Sequence, residues 1–104
     1  MTTRTFFAMV ARTERWDKTK PAHEQEGFAA HAKFMHGLEA EGVIVFAGLL
    51  QDSSDVVFLF HAASAAEVRQ RLGQDPWQQD GHARLIRLEE IQIRTGAPPP
   101  HRPA

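Results

Sequence analysis

The sequence predicts an α+β fold of the ferredoxin-like type, a β-α-β-β-α-β sandwich with a four-stranded antiparallel sheet. Four apolar runs rich in β-branched and aromatic residues alternate with helical patterns in that order, and 104 residues suit one domain. We expect an α+β domain over residues 1–95. The proline-rich segment 96–104, GAPPPHRPA, predicts a flexible tail because it has no periodicity.

The chain begins with a predicted strand and a polar loop. Thr5–Ala11, TFFAMVA, is an apolar run too short for a typical helix. Thr13–Ala22 is polar and contains Pro21, so it predicts a loop. Trp16 in this loop has two interpretations, because its large ring either packs on the body of the domain or covers a pocket mouth.

The segment Glu24–Leu50 predicts a long amphipathic helix, a glycine stop and a second strand. Gly42 fits a left-handed helix end, and Val43–Phe46 are residue types that favour a strand. One face of the helix carries residues at a three- or four-residue spacing: Phe28, His31, Met35 and Leu38. The histidine is chemically out of place on a face that should be core.

A turn, a third strand and a second helix follow. Gln51–Asp55 predicts the turn by composition, and Val56–Ala62 predicts the strand. Ser64, followed three residues later by Glu67, has the spacing of a capping box. The second helix is therefore expected from about Ala65 to about Gly73. We expect three of its residues to face inward: Ala65, Val68 and Leu72.

The last part of the chain predicts a short helical turn and a fourth strand. Asp75 is a good cap, Pro76 suits a first helical position, and Gly81 is a plausible stop. The last strand is expected within His82–Arg94. Its apolar alternation changes phase: Ile86 and Leu88 share one face, then Ile91 and Ile93 share the other. A β-bulge near Glu89–Glu90 would explain this change.

Both faces of the predicted sheet are apolar. In the first strand Phe6, Ala8 and Val10 alternate with Phe7, Met9 and Ala11, and the third strand shows the same pattern. Two helices cover only one face, which would leave an apolar patch larger than a monomer usually exposes. We therefore expect a homodimer through the sheet face.

The chain resembles the YCII-related (YciI-like) family over roughly residues 5–94. The resemblance lies in the first strand, the histidine-bearing helix, the strand ending Phe46-Ala47-Gly48, and Asp75-Pro76-Trp77 followed by Gly81. It implies a dimeric α+β barrel and a candidate active site at His31 and Asp75, although most family members have no assigned activity. Leu49 stands where the family often has proline. Glu24–Glu26 stands where it often has a basic residue, so no anion contact is expected there.

The predicted topology allows His31 and Asp75 to meet, because both helices start at the same end of the sheet. In that case Asp75 would orient the imidazole, and the other ring nitrogen would face a pocket. We expect Phe28, Met35 and Trp77 to line this pocket and to bind substrate. The alternatives are structural: His31 as a core residue satisfied by one hydrogen bond, and Asp75 as a cap, with Gln78 at capping-box spacing.

Two classes of function follow. The first is a cofactor-independent enzyme in which His31 is a general base or acid for elimination, isomerisation or proton abstraction on a small organic molecule. It predicts a solvent-connected pocket that reaches a ring nitrogen of His31. The second is a non-catalytic small-molecule binding or accessory protein with a structural His–Asp pair and a sealed ring. A haem-binding barrel is a distant third interpretation.

The composition and charge of the chain argue against several classes of partner and site. A formal net charge of −1 argues against a nucleic-acid surface, and zero cysteines exclude a thiol nucleophile or a cysteine metal site. No metal site is expected, since His31 and His36 are five residues apart and cannot share an ion from one helix face. The N-terminal apolar run is too short for a signal peptide or a membrane span. We expect a cytoplasmic protein without membrane contact.

Overall fold

The computed structural model describes residues 3–96 as an antiparallel sheet with helices packed on it. The sheet contains β1 (Arg4–Arg12), β2 (Ile44–Leu49), β3 (Val56–Ala62) and β4 (Ala83–Glu90). The helices are α1 (Phe28–Ala40), α2 (Ala65–Leu72) and α3 (Pro76–Asp80), and a 3-10 turn spans Ala22–Glu24. The strand order β2-β3-β1-β4, with every pair antiparallel, confirms the ferredoxin-like α+β prediction.

The hydrophobic core lies between the sheet and the first two helices. Phe6, Ala8 and Val10 of β1 point into it and are at most 6% exposed. Phe58 and Phe60 of β3 point the same way, because they pair with β1 in register. The opposite face of these strands is also apolar, as predicted: Phe7, Met9, Val57 and Leu59.

The helix α1 begins four residues later than the predicted unit. Gly27 precedes it with φ +79°, in the left-handed region that glycine adopts easily. Residues 22–24 form the 3-10 turn instead, and Gln25 is buried between the turn and the helix. His31 therefore lies in the first turn of α1 rather than two turns into a longer helix.

The end of α1 agrees with the prediction. Gly42 has φ +79°, and its amide donates to the Glu39 carbonyl at 2.9 Å. The Val43 amide donates to the Leu38 carbonyl at 2.9 Å, which completes a Schellman motif. This closed end leads directly into β2, because Ile44 is its first residue.

The phase change in β4 lies earlier than predicted. The register with β1 shifts between Met9 and Val10, which pair with Arg87 and Leu85, so Ile86 is the extra residue. Leu85 and Leu88 are partly buried against the core, whereas Ile86 is exposed. The predicted shared face of Ile86 and Leu88 is therefore wrong, as is a bulge at the two glutamates.

Smaller corrections concern the termini of the last elements. β4 ends at Glu90, so Ile91 and Ile93 follow the strand as exposed residues. Ala65 is exposed rather than inward, because Val68 and Leu72 alone supply the buried face of α2. The predicted tail lies outside the described residues apart from Gly96. Within residues 3–96, no helix has the length and apolar character needed to cross a membrane.

Candidate functional site

The structure brings His31 and Asp75 into direct contact. The His31 Nδ1 donates to Asp75 Oδ1 at 2.8 Å. Asp75 is 1% exposed, whereas the imidazole keeps 19% of its side-chain surface accessible. A buried carboxylate is tolerated when it is paired and hydrogen-bonded, and this one is both. The contact assigns the proton to Nδ1 and leaves Nε2 as the basic nitrogen.

The position of Asp75 follows from its role at the start of α3. Its Oδ1 also accepts the Trp77 amide at 3.1 Å, and Pro76 occupies the first helical position, as predicted. Gly81 ends α3 with φ +87°. The expected capping-box contact from Gln78 is not formed among the described residues, because the Asp75 amide donates to the Leu72 carbonyl at 3.0 Å instead. The Gln78 Nε2 is buried without a hydrogen-bond partner among these residues.

Trp77 holds the other side of the imidazole. Its ring stacks on His31 with centroids 3.8 Å apart and planes 14° apart. The Trp77 indole donates from Nε1 to the Glu26 carbonyl at 2.9 Å, which ties α3 to the residue before Gly27. One hydrogen bond and one stacked face therefore fix both the position and the plane of the His31 ring.

The loop before α1 packs against Trp77 and completes this side of the site. Trp16 is 9% exposed and meets Trp77 edge to face, with centroids 5.1 Å apart. Gln25 anchors the loop: its Nε2 donates to the Asp17 and Lys20 carbonyls at 2.7 and 3.0 Å, and its Oε1 accepts the Asp17 amide at 3.0 Å. Trp16 satisfies both interpretations, since it packs on the body and lines the pocket described next.

A second histidine–aspartate pair lies behind the first. His82 is 4% exposed, its Nδ1 contacts Asp80 Oδ1 at 2.8 Å, and its ring lies 6.0 Å from Trp77. Burial raises the pKa of Asp80, but hydrogen bonds from the His82 amide and ring and the charges of His82 and Arg15 outweigh it, so the pKa is lowered overall. This pair fixes the end of α3, because Asp80 is the last residue of that helix.

A cavity of about 460 Å³ lies between the helices and the sheet, beside the His31 ring. This volume is in the range of small-molecule sites. Most of its lining is apolar, and its polar members are His31, Asp75, Arg12, Gln78, His36 and Glu39. The apolar lining includes Val10, Ile44, Leu49, Val56, Phe58 and Leu72.

The three residues expected to line the pocket do so: Phe28, Met35 and Trp77. Their role in binding a substrate stays a prediction. Arg12 and Gln78 also line the cavity and were missed by the sequence analysis. The inward alternation of β1 through Val10 continues to Arg12, which could have predicted its position. Gln78 was marked only by its capping-box spacing, which does not predict that it lines a cavity.

The cavity has no metal-binding character in the part of the chain described here. No group of three or more histidine, aspartate or glutamate side chains in residues 3–96 has the arrangement of a metal site. His36 is exposed and also lines the cavity. The arrangement offers an oriented imidazole beside an apolar space, which suits proton transfer.

Comparison of the chain with models of protein families and with curated proteins found no match. The resemblance to the YCII-related family therefore stays a prediction.

Proposed function

We propose that this chain is a small-molecule enzyme that uses His31 and Asp75 for general acid/base chemistry. The observation that supports it best is a buried carboxylate holding Nδ1 of an imidazole that borders a cavity of about 460 Å³. Among residues 3–96, Nε2 forms no hydrogen bond with the protein. A histidine with one nitrogen held and the other accessible is the usual form of a general base.

Asp75 would act as the positioning residue in this mechanism. As His31 Nε2 takes a proton from a carbon acid, the imidazolium that forms is stabilised by the Asp75 carboxylate at 2.8 Å. The same imidazolium then returns the proton to another carbon or to a leaving group. Proton abstraction, isomerisation and elimination are therefore the reaction types that one histidine supports without a cofactor.

The cavity walls support a small organic substrate. Phe28 and Met35 come from the same helix face as His31, and Trp77 stacks on the imidazole. These side chains offer apolar contact on two sides of a bound molecule. We propose that they hold the substrate against Nε2.

An isotope-exchange experiment tests this proposal without a known substrate. A panel of small ketones, lactones and hydroxyquinones is incubated with the protein in deuterated water, and exchange of carbon-bound hydrogen is followed by NMR. We expect at least one compound to exchange faster with the wild type, and His31→Gln to lose about a hundredfold or more of that rate. His23→Gln is the matched control, since that histidine is exposed outside the cavity. The same rate with His31→Gln as with the wild type would contradict the proposal.

A second candidate is a non-catalytic binding protein with a structural His–Asp pair. The observation in its favour is that Asp75 also caps α3 and that His31 packs flat on Trp77. This candidate predicts that the wild type accelerates exchange in no compound of the panel, although the cavity still binds small molecules. His31→Gln would then lower stability and leave every exchange rate unchanged.

We further propose that two copies pair through the outer sheet face, as the YCII-like resemblance implies. Phe7, Met9 and Val57 are partly exposed apolar residues on this face, and Ile86 is 45% exposed beside them, whereas Leu59 is already buried. Sedimentation at micromolar concentration should give twice the monomer mass. Val57→Glu should give a folded monomer, whereas Gln70→Glu on exposed α2 surface should leave the dimer intact. A wild-type monomer would contradict this proposal. We expect the dimer to act in the cytoplasm.

A further inference from the structure

Arg12 places a positive charge at the end of a buried row of side chains. In β1 the alternation of Phe6, Ala8 and Val10 toward the helices puts Arg12 on the same face, opposite Ala83 of β4. Arg12 is half-buried and lines the cavity. The buried row formed by Phe6, Ala8 and Val10 thus ends in a guanidinium at the cavity.

The Arg12 guanidinium keeps its hydrogen-bond donors free. Its central carbon lies 4.1 Å from the centroid of the Trp16 ring, and stacking on an aromatic face uses none of the in-plane N–H groups. Within residues 3–96 it forms no ion pair, whereas Arg71 binds both carboxylate oxygens of Glu41 at 2.8 and 2.9 Å. Arg69 and Arg84 lack ion pairs too, but they are exposed to solvent.

Gln78 adds a second free donor to the same cavity. Its side-chain Nε2 is buried, and no acceptor among the described residues lies within hydrogen-bond distance. Such buried donors are rare in folded proteins and are costly to leave without an acceptor. Gln78 lines the cavity, directly after Trp77 in α3.

A continuous set of contacts connects Arg12 to the histidine. Arg12 stacks on Trp16, Trp16 meets Trp77, and Trp77 stacks on His31. Two acidic residues line the cavity, and one of them, Asp75, is bound to His31. The other, Glu39, lies eight residues after His31 on α1, which is about 12 Å along a helix. The lining of the cavity therefore includes a cation against Trp16 and a neutral donor in α3 directly after Trp77.

We propose that the cavity binds small organic acids. Their carboxylate is held by Arg12 and Gln78, and their apolar body lies against Ile44 and Phe58. A planar carboxylate matches the in-plane donors of one guanidinium, and the apolar lining suits a molecule with a single charged end. We also propose that the far end of the bound acid reaches His31, and only this part of the inference rests on the proposed function.

Matched probes test the recognition of the carboxylate. Phenylacetate and cyclohexanecarboxylate, and the amide of each, are titrated into ¹⁵N-labelled protein while the indole signals of Trp16 and Trp77 and the side-chain amide of Gln78 are followed. We expect both acids to shift these signals and to bind about tenfold or more tightly than their amides. Arg12→Gln should weaken the acids by about the same factor and leave the amides unchanged. Arg84→Gln, on the outer face of β4, should change neither.

Other outcomes decide against the proposal. Equal binding of acids and amides, or acids that bind the folded Arg12→Gln variant as tightly as the wild type, would overturn it. So would acids that leave all three reporter groups unshifted at millimolar concentration. If Arg12→Gln does not fold, Gln78→Leu replaces it, with the same loss expected for the acids alone. Because binding is also measured in His31→Gln, an acid site without isotope exchange would refute the proposed function only.

Discussion

Replacing Asp75 with alanine should remove two interactions from one buried oxygen. The first is the cap on the Trp77 amide at 3.1 Å, and caps of this kind contribute about 1 kcal/mol. The second is the hydrogen bond from His31 at 2.8 Å, which is charge-assisted and contributes about 2 kcal/mol. Since Asp75 is 1% exposed, water replaces neither contact fully. The free energy of unfolding should therefore fall by about 3 kcal/mol.

Ser64 offers a matched control for the capping part. Its neutral hydroxyl accepts the Glu67 amide at 3.2 Å at the start of α2. Ser64→Ala should cost about 1 kcal/mol. Asp75→Asn should fall between the two alanine variants, because the amide oxygen still caps α3 but carries no charge for His31.

Urea denaturation of four proteins separates the two contributions. The wild type, Asp75→Ala, His31→Ala and the double variant form a cycle whose coupling energy measures the His31–Asp75 interaction alone. We expect a coupling of about 1–2 kcal/mol, as for neighbouring residues in one network. If Asp75→Ala is no worse than Ser64→Ala, and the coupling is below about 0.5 kcal/mol, the pair does not organise the site.

Further variants test the residues around the His31–Asp75 pair. Gly27→Ala should lower the free energy of unfolding by about 1–2 kcal/mol because of its φ of +79°, whereas Gly37→Ala, in the last turn of α1 with open space around it, should raise it by about 1 kcal/mol. A gain for Gly27→Ala or a loss for Gly37→Ala in urea melts would contradict the assigned conformations. The lowered pKa of Asp80 means that its contact with His82 stabilises the fold fully above about pH 4 and fades as the pH falls. Asp80→Asn should therefore be destabilised at neutral pH, and its difference from the wild type should shrink as the pH falls below about 4. An equal loss at neutral and at acid pH would refute this. Gln25→Ala should speed tryptic cleavage in the preceding loop, and an unchanged rate would show that its three hydrogen bonds do not anchor that loop.

The parts of the fold with strong local signals were predictable. Asp75, Pro76 and Gly81 mark α3 at both ends by chemistry that acts within a few residues. The start of α1 was not predictable from its pattern, because Glu24–Glu26 are all compatible with helix. Gln25 leaves the helix there to bind the loop around Asp17, which is a contact between segments.

The sheet shows the same division. Apolar runs predicted all four strands, yet the bulge at Ile86 depends on how β4 pairs with β1. A shift of one residue moves every later side chain to the other face, so the alternation alone does not determine its position. The candidate site follows this pattern too. His31 was detectable as a misplaced polar residue, whereas the free amide of Gln78 depends on what packs around it.

The burial of Asp75 is more than helix capping requires. Ser64 caps α2 with a neutral hydroxyl and is only half-buried. A serine or asparagine would cap α3 equally well, without the several kcal/mol that it costs to bury an ionised carboxylate. The Trp77 amide supplies one donor to this carboxylate, and His31 supplies the other; the contact through Nδ1 leaves Nε2 free beside the cavity. The negative charge of Asp75 therefore serves to hold the proton on Nδ1 of His31 and to leave Nε2 as the basic nitrogen. Helix capping alone does not account for this pair.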